Sequence, residues 1–406
     1  MARQTRRRCL RASVAAATSL SVAGCTGTFG GSDDDNVDEI VIGNLQPTQL
    51  STGKNAVQGV ELATKELQEN WDTDIKVVTK DTEADPQVGV SRARELVEQE
   101  DADVLLGIAS SSVATAVSDY AAGQNVVTVV SQAQAPEITG GKCKKTTFRT
   151  GSHLGQLNAG AAVALAEATG AKRIAAIAPN YSFGKATWQA FREAYTQKVN
   201  DAEIIFETYP KFGKGNYQNE IQKLKSEEPD LVYNSLWPGT LVNFIKQGKQ
   251  NGFFEQIPDM IYGTGAIAGT SEAIGSEMVE LWALTRYWFN NPNTDRNNEF
   301  VSAFRDEFNE VPTGVSEEAY AAMYAVQNAV KKSGGKSKDD IVDGLEGLEF
   351  EAPEGMKKIR AEDHQVVDDK IWTGKTGEVD YWKYYGFTEL ATTPGEDVTD
   401  EPNCSF

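Results

Sequence analysis

From residue 40 the chain alternates two kinds of apolar pattern. Short, nearly continuous β-branched runs stand at 40–43, 75–79, 104–107 and 126–130, and a second set at 173–178, 203–207, 231–234 and 260–263. Runs of this kind suit parallel strands covered on both faces, whose side chains meet apolar neighbours on either side. Between them lie stretches of helical period at 54–69, 86–100, 113–122, 153–169, 184–199, 216–226 and 239–251. The clearest is 317–333, where Ala319, Ala322, Met323, Val326, Ala329 and Val330 form one apolar stripe. Strand–helix–strand repetition on this scale predicts an α/β chain built as two doubly wound lobes. Segment 140–152, rich in Gly, Lys and Thr, separates the two strand sets and reads as a crossover between them.

The amino end follows another pattern. Arg3, Arg6, Arg7, Arg8 and Arg11 precede a mildly apolar run at 12–22 that is too short to span a bilayer, as in a signal peptide. Thr5-Arg6-Arg7-Arg8-Cys9-Leu10-Arg11 matches the twin-arginine export pattern, with Cys9 where a Phe is usual. Val22-Ala23-Gly24-Cys25 has the form of a lipoprotein cleavage box, which would make Cys25 the lipidated first residue of the mature protein. The alternative is a plain cleavage site with an incidental cysteine. Residues 25–37 are Gly-, Ser- and Asp-rich and read as a flexible tether. The lipid is then the only membrane contact the sequence calls for, on the extracellular face.

Composition narrows the partners. Removing residues 1–24 removes five arginines and no acid, which leaves 34 basic against 59 acidic residues, a balance of −25. Such a charge argues against nucleic acid and anionic lipid as partners. The acids are scattered, as in a solvated acidic skin, and suggest a salt-loving source. Beyond the export signal only Cys143 and Cys404 remain. In an oxidising exterior a lone pair in loop-like sequence reads as a disulfide, the alternative being two free thiols.

Ligands of open parallel sheets bind outside the carboxyl ends of the strands. Run 104–107 empties into Ile108-Ala109-Ser110-Ser111-Ser112 before a helix. These serines can cap the helix, or can meet a ligand carboxylate or carbonyl beside free backbone N–H groups. Run 126–130 empties into Ser131-Gln132-Ala133-Gln134-Ala135-Pro136, a polar turn able to face the same cleft. In the second set, Pro179-Asn180-Tyr181-Ser182-Phe183-Gly184 and Ser235-Leu236-Trp237-Pro238-Gly239 place Tyr181, Phe183 and Trp237 after strands, where aromatics can cover a small ligand.

An ordered series of short pieces carries a resemblance over 40–377: Ile40-Val41-Ile42-Gly43, the turn from Gly107 to Ser112, and Ser131 with Pro136-Glu137-Ile138-Thr139. It continues with Phe148-Arg149-Thr150, Tyr181-Ser182-Phe183-Gly184, Pro229-Asp230-Leu231-Val232-Tyr233 and Ile359-Arg360-Ala361-Glu362-Asp363-His364-Gln365. Together they resemble the Leu/Ile/Val-binding family of ABC-transporter solute-binding proteins, which includes amide- and urea-binding relatives. The resemblance implies the type I periplasmic-binding-protein fold, with two lobes joined by three crossovers and closing on a small molecule. The implied lobes are 38–150 with 286–352, and 151–285 with 353–388, leaving a tail at 389–406. The family's ligand-holding serine falls on Ser110 or Ser111, its cradle on Gln132, Ala133 and Gln134, and its second-lobe aromatics on Phe183 and Trp237. Implied partners are a small-molecule ligand and the permease and ATPase subunits of an importer. Two departures stand out. Gln134 is the nearest match to a common threonine, and Thr264-Gly265-Ala266 stands where amino-acid binders carry a glutamate for the ligand ammonium. Glu272 and Glu318 are the candidate substitutes. Amides, urea-like solutes and organic acids therefore stay open beside branched-chain amino acids.

Other chemistries find little footing. The series from Gly263 to Gly269 is one residue too long for a dinucleotide fingerprint. His153 and His364 lie far apart, with no cysteine spaced for metal. No Gly-x-Ser-x-Gly elbow is present, and dispersed carboxylates single out no catalytic pair. The expectation is a binding protein with no cofactor, metal or catalytic residue. A ligand-sensing receptor domain of the same fold is the alternative.

Overall fold

The computed structural model describes residues 37–406 apart from Pro258. The export signal, Cys25 and the proposed anchor lie outside the described residues. In chain order the elements of the first sheet and its helices are β1 (Glu39–Gln46), α1 (Ser51–Asn70), β2 (Asp74–Asp81), α2 (Pro86–Gln99), β3 (Val104–Gly107), α3 (Ser111–Gln124), β4 (Val127–Val130) and β5 (Thr147–Arg149). Strand order is β2-β1-β3-β4-β5, all parallel. The continuous apolar runs have a direct cause. Ile40 and Ile42 of β1 pack with Val60 and Ala63 of α1, while Val41 and Leu45 face Ala93 and Leu96 of α2 and Val113 of α3.

The chain then crosses to a second sheet through α4 (Leu154–Thr169), β6 (Arg173–Ile177), α5 (Ser182–Lys198), β7 (Glu203–Thr208), α6 (Gln218–Ser226), β8 (Leu231–Asn234), α7 (Pro238–Gln250), α8 (Phe253–Gln256), β9 (Asp259–Tyr262), α9 (Ile267–Ile274) and β10 (Trp282–Thr285). It returns through α10 (Asp295–Phe308), α11 (Gly314–Ser333) and α12 (Lys338–Leu345). It forms a small antiparallel sheet from β11 (Glu349–Ala352), β12 (Gly355–Ile359) and β13 (Val366–Asp368), then re-enters the second sheet with β14 (Lys370–Gly377) and β15 (Gly386–Pro394). The second sheet runs β15-β14-β10-β9-β8-β6-β7. Its strands are parallel from β7 to β10, and β14 and β15 are antiparallel additions. One face is covered by Trp188 and Phe191 of α5 with Leu157 and Ala161 of α4. Leu241 and Phe244 of α7 and Ile221 and Leu224 of α6 cover the other.

Three differences from the sequence reading have physical reasons. Segment 140–152 is not all crossover, because Thr147–Arg149 adds a fifth strand to the first sheet. The small sheet occupies 349–368, so this stretch belongs to the joint between the large sheets, and the second sheet runs on to Pro394, past residue 388. β1 continues three residues beyond its apolar run, because buried Asn44 and Gln46 find hydrogen bonds inside the lobe.

The joint is strongly charged. Buried Lys357 on β12 donates to Glu354 and, at 2.7 Å, to Asp368 on β13. Ser152, on the passage from β5 to α4, donates to the other Asp368 oxygen, and Glu317 at the start of α11 accepts from the Glu354 amide at 3.4 Å. Cys143 and Cys404 are bonded, with Cα atoms 5.9 Å apart and a sequence separation of 261. The carboxyl tail that carries Cys404 crosses the joint. Thr399 Oγ1 accepts from Gln156 Nε2 at 2.8 Å, Asp400 O accepts from Arg360, and Phe406 packs on His364, whose ring also stacks on Phe148.

Candidate binding cleft

On the first sheet three strand ends converge. Gly107 closes β3 at φ +104° and is followed by Ile108 at φ +66°, a left-handed conformation that is costly for a β-branched residue. A Cβ at position 107 would come within 2.3 Å of Gln46 Nε2, so glycine is required there on two counts. The bend sets Ser110 at the start of α3. Its hydroxyl does not cap the helix and lies 3.1 Å from Ser112 Oγ; Ser111 Oγ instead accepts from the amide of Ala135 at 3.1 Å. Simple capping therefore does not account for the serines, and the first N–H groups of α3 keep their positive end without a side-chain partner.

The turn after β4 carries Gln132 and Gln134. Gln132 is 4% exposed; its Oε1 accepts from Gln46 at 3.2 Å, while its Nε2 is left without a partner among the described residues, as is Gln134 Nε2. Ala133, expected in the cradle, turns its methyl into the core behind it.

Arg149, at the end of β5, is fully buried beneath this turn. Its Nη2 donates to Ala135 O at 2.5 Å, and Nε and Nη1 are unpartnered. Burial pulls its pKa down to about 9, against Glu137, Glu318 and Asp363. Arg286 follows β10 and reaches over from the second sheet. Its Nη1 donates to Glu318 Oε2 at 2.5 Å and to Gln132 O at 3.4 Å. Glu318 is buried, and desolvation pushes it up to about 7 despite Arg286.

On the second sheet the carboxyl ends of β10, β9, β8, β6 and β7 stand side by side. They present in that order Arg286, Gly265, Trp237, the pair Tyr181 and Phe183, and Phe212. Gly265 has φ +76°, and a Cβ there would meet Leu284 at 3.3 Å and approach Arg286. The four aromatics form a cluster. Tyr181 stacks on Phe183 with centroids 5.7 Å apart and meets the edge of Phe212 at 5.3 Å; Trp237 lies 6.1 Å from Phe183 and 6.0 Å from Phe212. Trp237 Nε1 donates to Tyr181 Oη. Two of the four are unusually open for such side chains, Trp237 at 47% and Phe212 at 54%.

The structure thus groups Ser110, Ser111, Gln132 and Gln134 on one edge, and Tyr181, Phe183 and Trp237 on the other. Gly265 lies beside Arg286, which reaches Gln132 O on the first edge. Surface hollows of about 570 Å³ beside α10 and about 240 Å³ beside Lys144 and Lys338 lie apart from these residues. Residues 40–375 match the family model described as periplasmic binding protein.

The chain belongs to the periplasmic binding protein family.

Solved structures agree with the fold. The amino acid ABC transporter substrate-binding protein of Pseudomonas fluorescens Pf-5 superposes with TM-score 0.80 at 21% identity, over 91% of this chain and 100% of that one. The solute-binding protein of an ABC transporter from Rhodopseudomonas palustris BisB5, solved with 3,4-dihydroxybenzoic acid, gives 0.77 at 25% identity, over 88% and 98%. The ABC transporter substrate-binding protein of Sphaerobacter thermophilus gives 0.78 at 22%, over 87% and 98%. No curated protein matches the chain.

Compared with what the resemblance implied, this periplasmic binding protein has neither substitute glutamate free for an ammonium. Glu272 is exposed on α9, and Glu318 is engaged by Arg286. Sequence reasoning gave no ligand role to Arg149, Arg286, Gln46 or Phe212. Arg286 and Phe212 each follow a strand end, which is the available signal, but Trp282–Thr285 has no β-branched aliphatic residue to mark β10 as a strand.

Proposed function

We propose that this periplasmic binding protein is the solute receptor of an ATP-driven importer and captures a small polar molecule between its lobes without altering it. The observation that carries the reading is the division of strand-end residues between two sheets, Ser110, Ser111, Gln132 and Gln134 on the first and Tyr181, Phe183 and Trp237 on the second, with Arg286 at the crossover between them meeting Gln132 O. Groups for one ligand are divided between two sheets joined by three passages of chain. A ligand that touches both edges gains its full set of contacts only when they come together, so binding shifts the open–closed balance by its differential affinity. The lobes are 38–150 with 286–352, and 151–285 with the strands at 370–394. The protein is anchored through a lipid on Cys25 after twin-arginine export, stands on the extracellular face, and in its closed form docks on a permease that works with an ATPase. Ser110 or Ser111, Gln132 and Gln134 hold the polar end of the ligand, and Phe183 and Trp237 cover it.

The test is closure. Small-angle scattering of the purified protein with pooled amino acids, amides, urea and small carboxylates is expected to show a smaller radius with at least one pool. Tryptophan emission is expected to respond in the wild type and to respond differently in Trp237→Ala. The bound solute is expected to be recovered chemically unchanged. A radius insensitive to every pool, or a converted solute, would overturn the reading. Cys25→Ser is expected to release the protein into the medium.

A further inference from the structure

We infer that the ligand is a small aromatic carboxylate without an ammonium group, with its anionic end at the corner made by Ser110, Gln132 and Arg286 and its ring among Tyr181, Phe183, Phe212 and Trp237. The inference rests on the capture role proposed above and adds the ligand's class.

Charge at the corner comes first. Two guanidinium groups, Arg149 and Arg286, converge on the turn after β4, and the one buried carboxylate joined to them there is Glu318. This local excess of positive charge stands out in a chain of net charge −20. Unused hydrogen-bonding capacity points the same way. Gln132 Nε2 and two Arg149 nitrogens are buried donors without partners among the described residues, and the start of α3 adds unpaired N–H groups. Buried donors of this kind favour an anion that accepts from several at once.

The opposite end offers a cation no free carboxylate among the described residues. The position after β9 holds Thr264 and Gly265, Glu272 is exposed, and Glu207 at the end of β7 already accepts from Trp188, Arg192 and Tyr209. A buried ammonium would lack a counter-ion there, which is strongly unfavourable. The aromatic cluster supplies the ligand's other half. The Trp237 N–H is spent on Tyr181 Oη, so the ring faces, with the Tyr181 O–H at one side, are the contact surface, and flat rings favour a flat apolar partner in offset or edge-on contact. β10 and β8 are two strands apart, about 10 Å by the usual strand spacing, so Arg286 and Trp237 leave the same edge of the sheet with one strand between them.

Calorimetry on the mature chain with three probes tests this: benzoate, leucine, and 4-methylpentanoate, which is leucine without its amine. Benzoate is expected to bind at least threefold tighter than 4-methylpentanoate, and leucine at least tenfold weaker than 4-methylpentanoate. Leucine binding as tightly as its deaminated analogue would overturn the anion-only assignment, and benzoate binding more weakly than 4-methylpentanoate would overturn the aromatic one. Arg286→Gln is expected to weaken benzoate at least tenfold and benzamide, which is uncharged, less than threefold. Because that variant strands buried Glu318, the pair Arg286→Gln with Glu318→Gln is measured as well, and equal benzoate affinity in wild type and the pair would overturn the role of Arg286. Closure with leucine or urea alone would sink the ligand class and keep the capture role, whereas closure with no pool would sink both.

Discussion

Arg286 and Glu318 form a pair whose energy is divided between structure and ligand. Glu318 is held by Arg286 and faces Arg149, Lys357 and Glu317 as well, yet burial still pushes it up to about 7. While ionised, it would compete with the proposed anionic ligand for the same guanidinium. Protonation as the pH falls through about 7 removes that competition. Benzoate affinity is therefore predicted to rise several-fold between pH 8.5 and pH 5.5, where benzoate itself stays ionised. Glu318→Gln is predicted to flatten the profile at the tight end. Titration of both proteins across that range checks it, and affinity that rises with pH would contradict the assignment. None of this was readable beforehand, because the partners of Arg286 lie 32 and 154 positions away in sequence. The serines and glutamines were visible from their place after strands, but the unpaired state of Gln132 Nε2 is a property of the packed turn.

Whole elements were more legible where burial is two-sided. β1, β3, β4, β6, β8 and β9 announced themselves as apolar runs because helices cover both faces. β5 (Thr147-Phe148-Arg149) has a single apolar residue and β10 (Trp282-Ala283-Leu284-Thr285) no β-branched aliphatic one, and the sequence reading assigned neither of them. α10 opens on a polar stretch and depends on Phe300 and Phe304 alone for a buried stripe. The turn between β3 and α3 makes a prediction at this scale. Gly107→Ala forces a Cβ into Gln46 and a disfavoured φ, and is expected to cost roughly 1–3 kcal/mol and to weaken ligand binding, read by chemical denaturation and calorimetry. The small sheet at the joint makes another. Glu317 faces Lys357, Asp368, Glu354 and Arg296, and its burial lifts it from 4.5 to about 7. A carboxyl with its folded pKa raised stabilises fully only below 4.5, and that contribution is lost as pH climbs towards 7. Glu317→Gln, which keeps an acceptor for the Glu354 amide, is predicted to raise Tm more at pH 8 than at pH 5.

Across the whole molecule, the acidic balance and the tail bond dominate. Scattered carboxylates repel one another over a Debye length, so Tm is predicted to fall when salt is reduced from molar to millimolar concentration. The bond between Cys143 and Cys404 joins the first lobe to a tail leaving the second sheet at Pro394, and its loop spans 261 positions. Replacing both cysteines with serine should cost about 2–4 kcal/mol and lower Tm by several degrees, with calorimetric melting as the measure; an unchanged Tm would mean that noncovalent contacts alone hold the tail.

That same bond closes residues 143–404 into a ring and leaves the first four strands outside it. A single protease cut at any loop between Cys143 and Cys404 opens the ring but leaves both fragments on one covalent skeleton. Nicked molecules should therefore migrate intact on a non-reducing gel and separate into pieces only when a thiol is added.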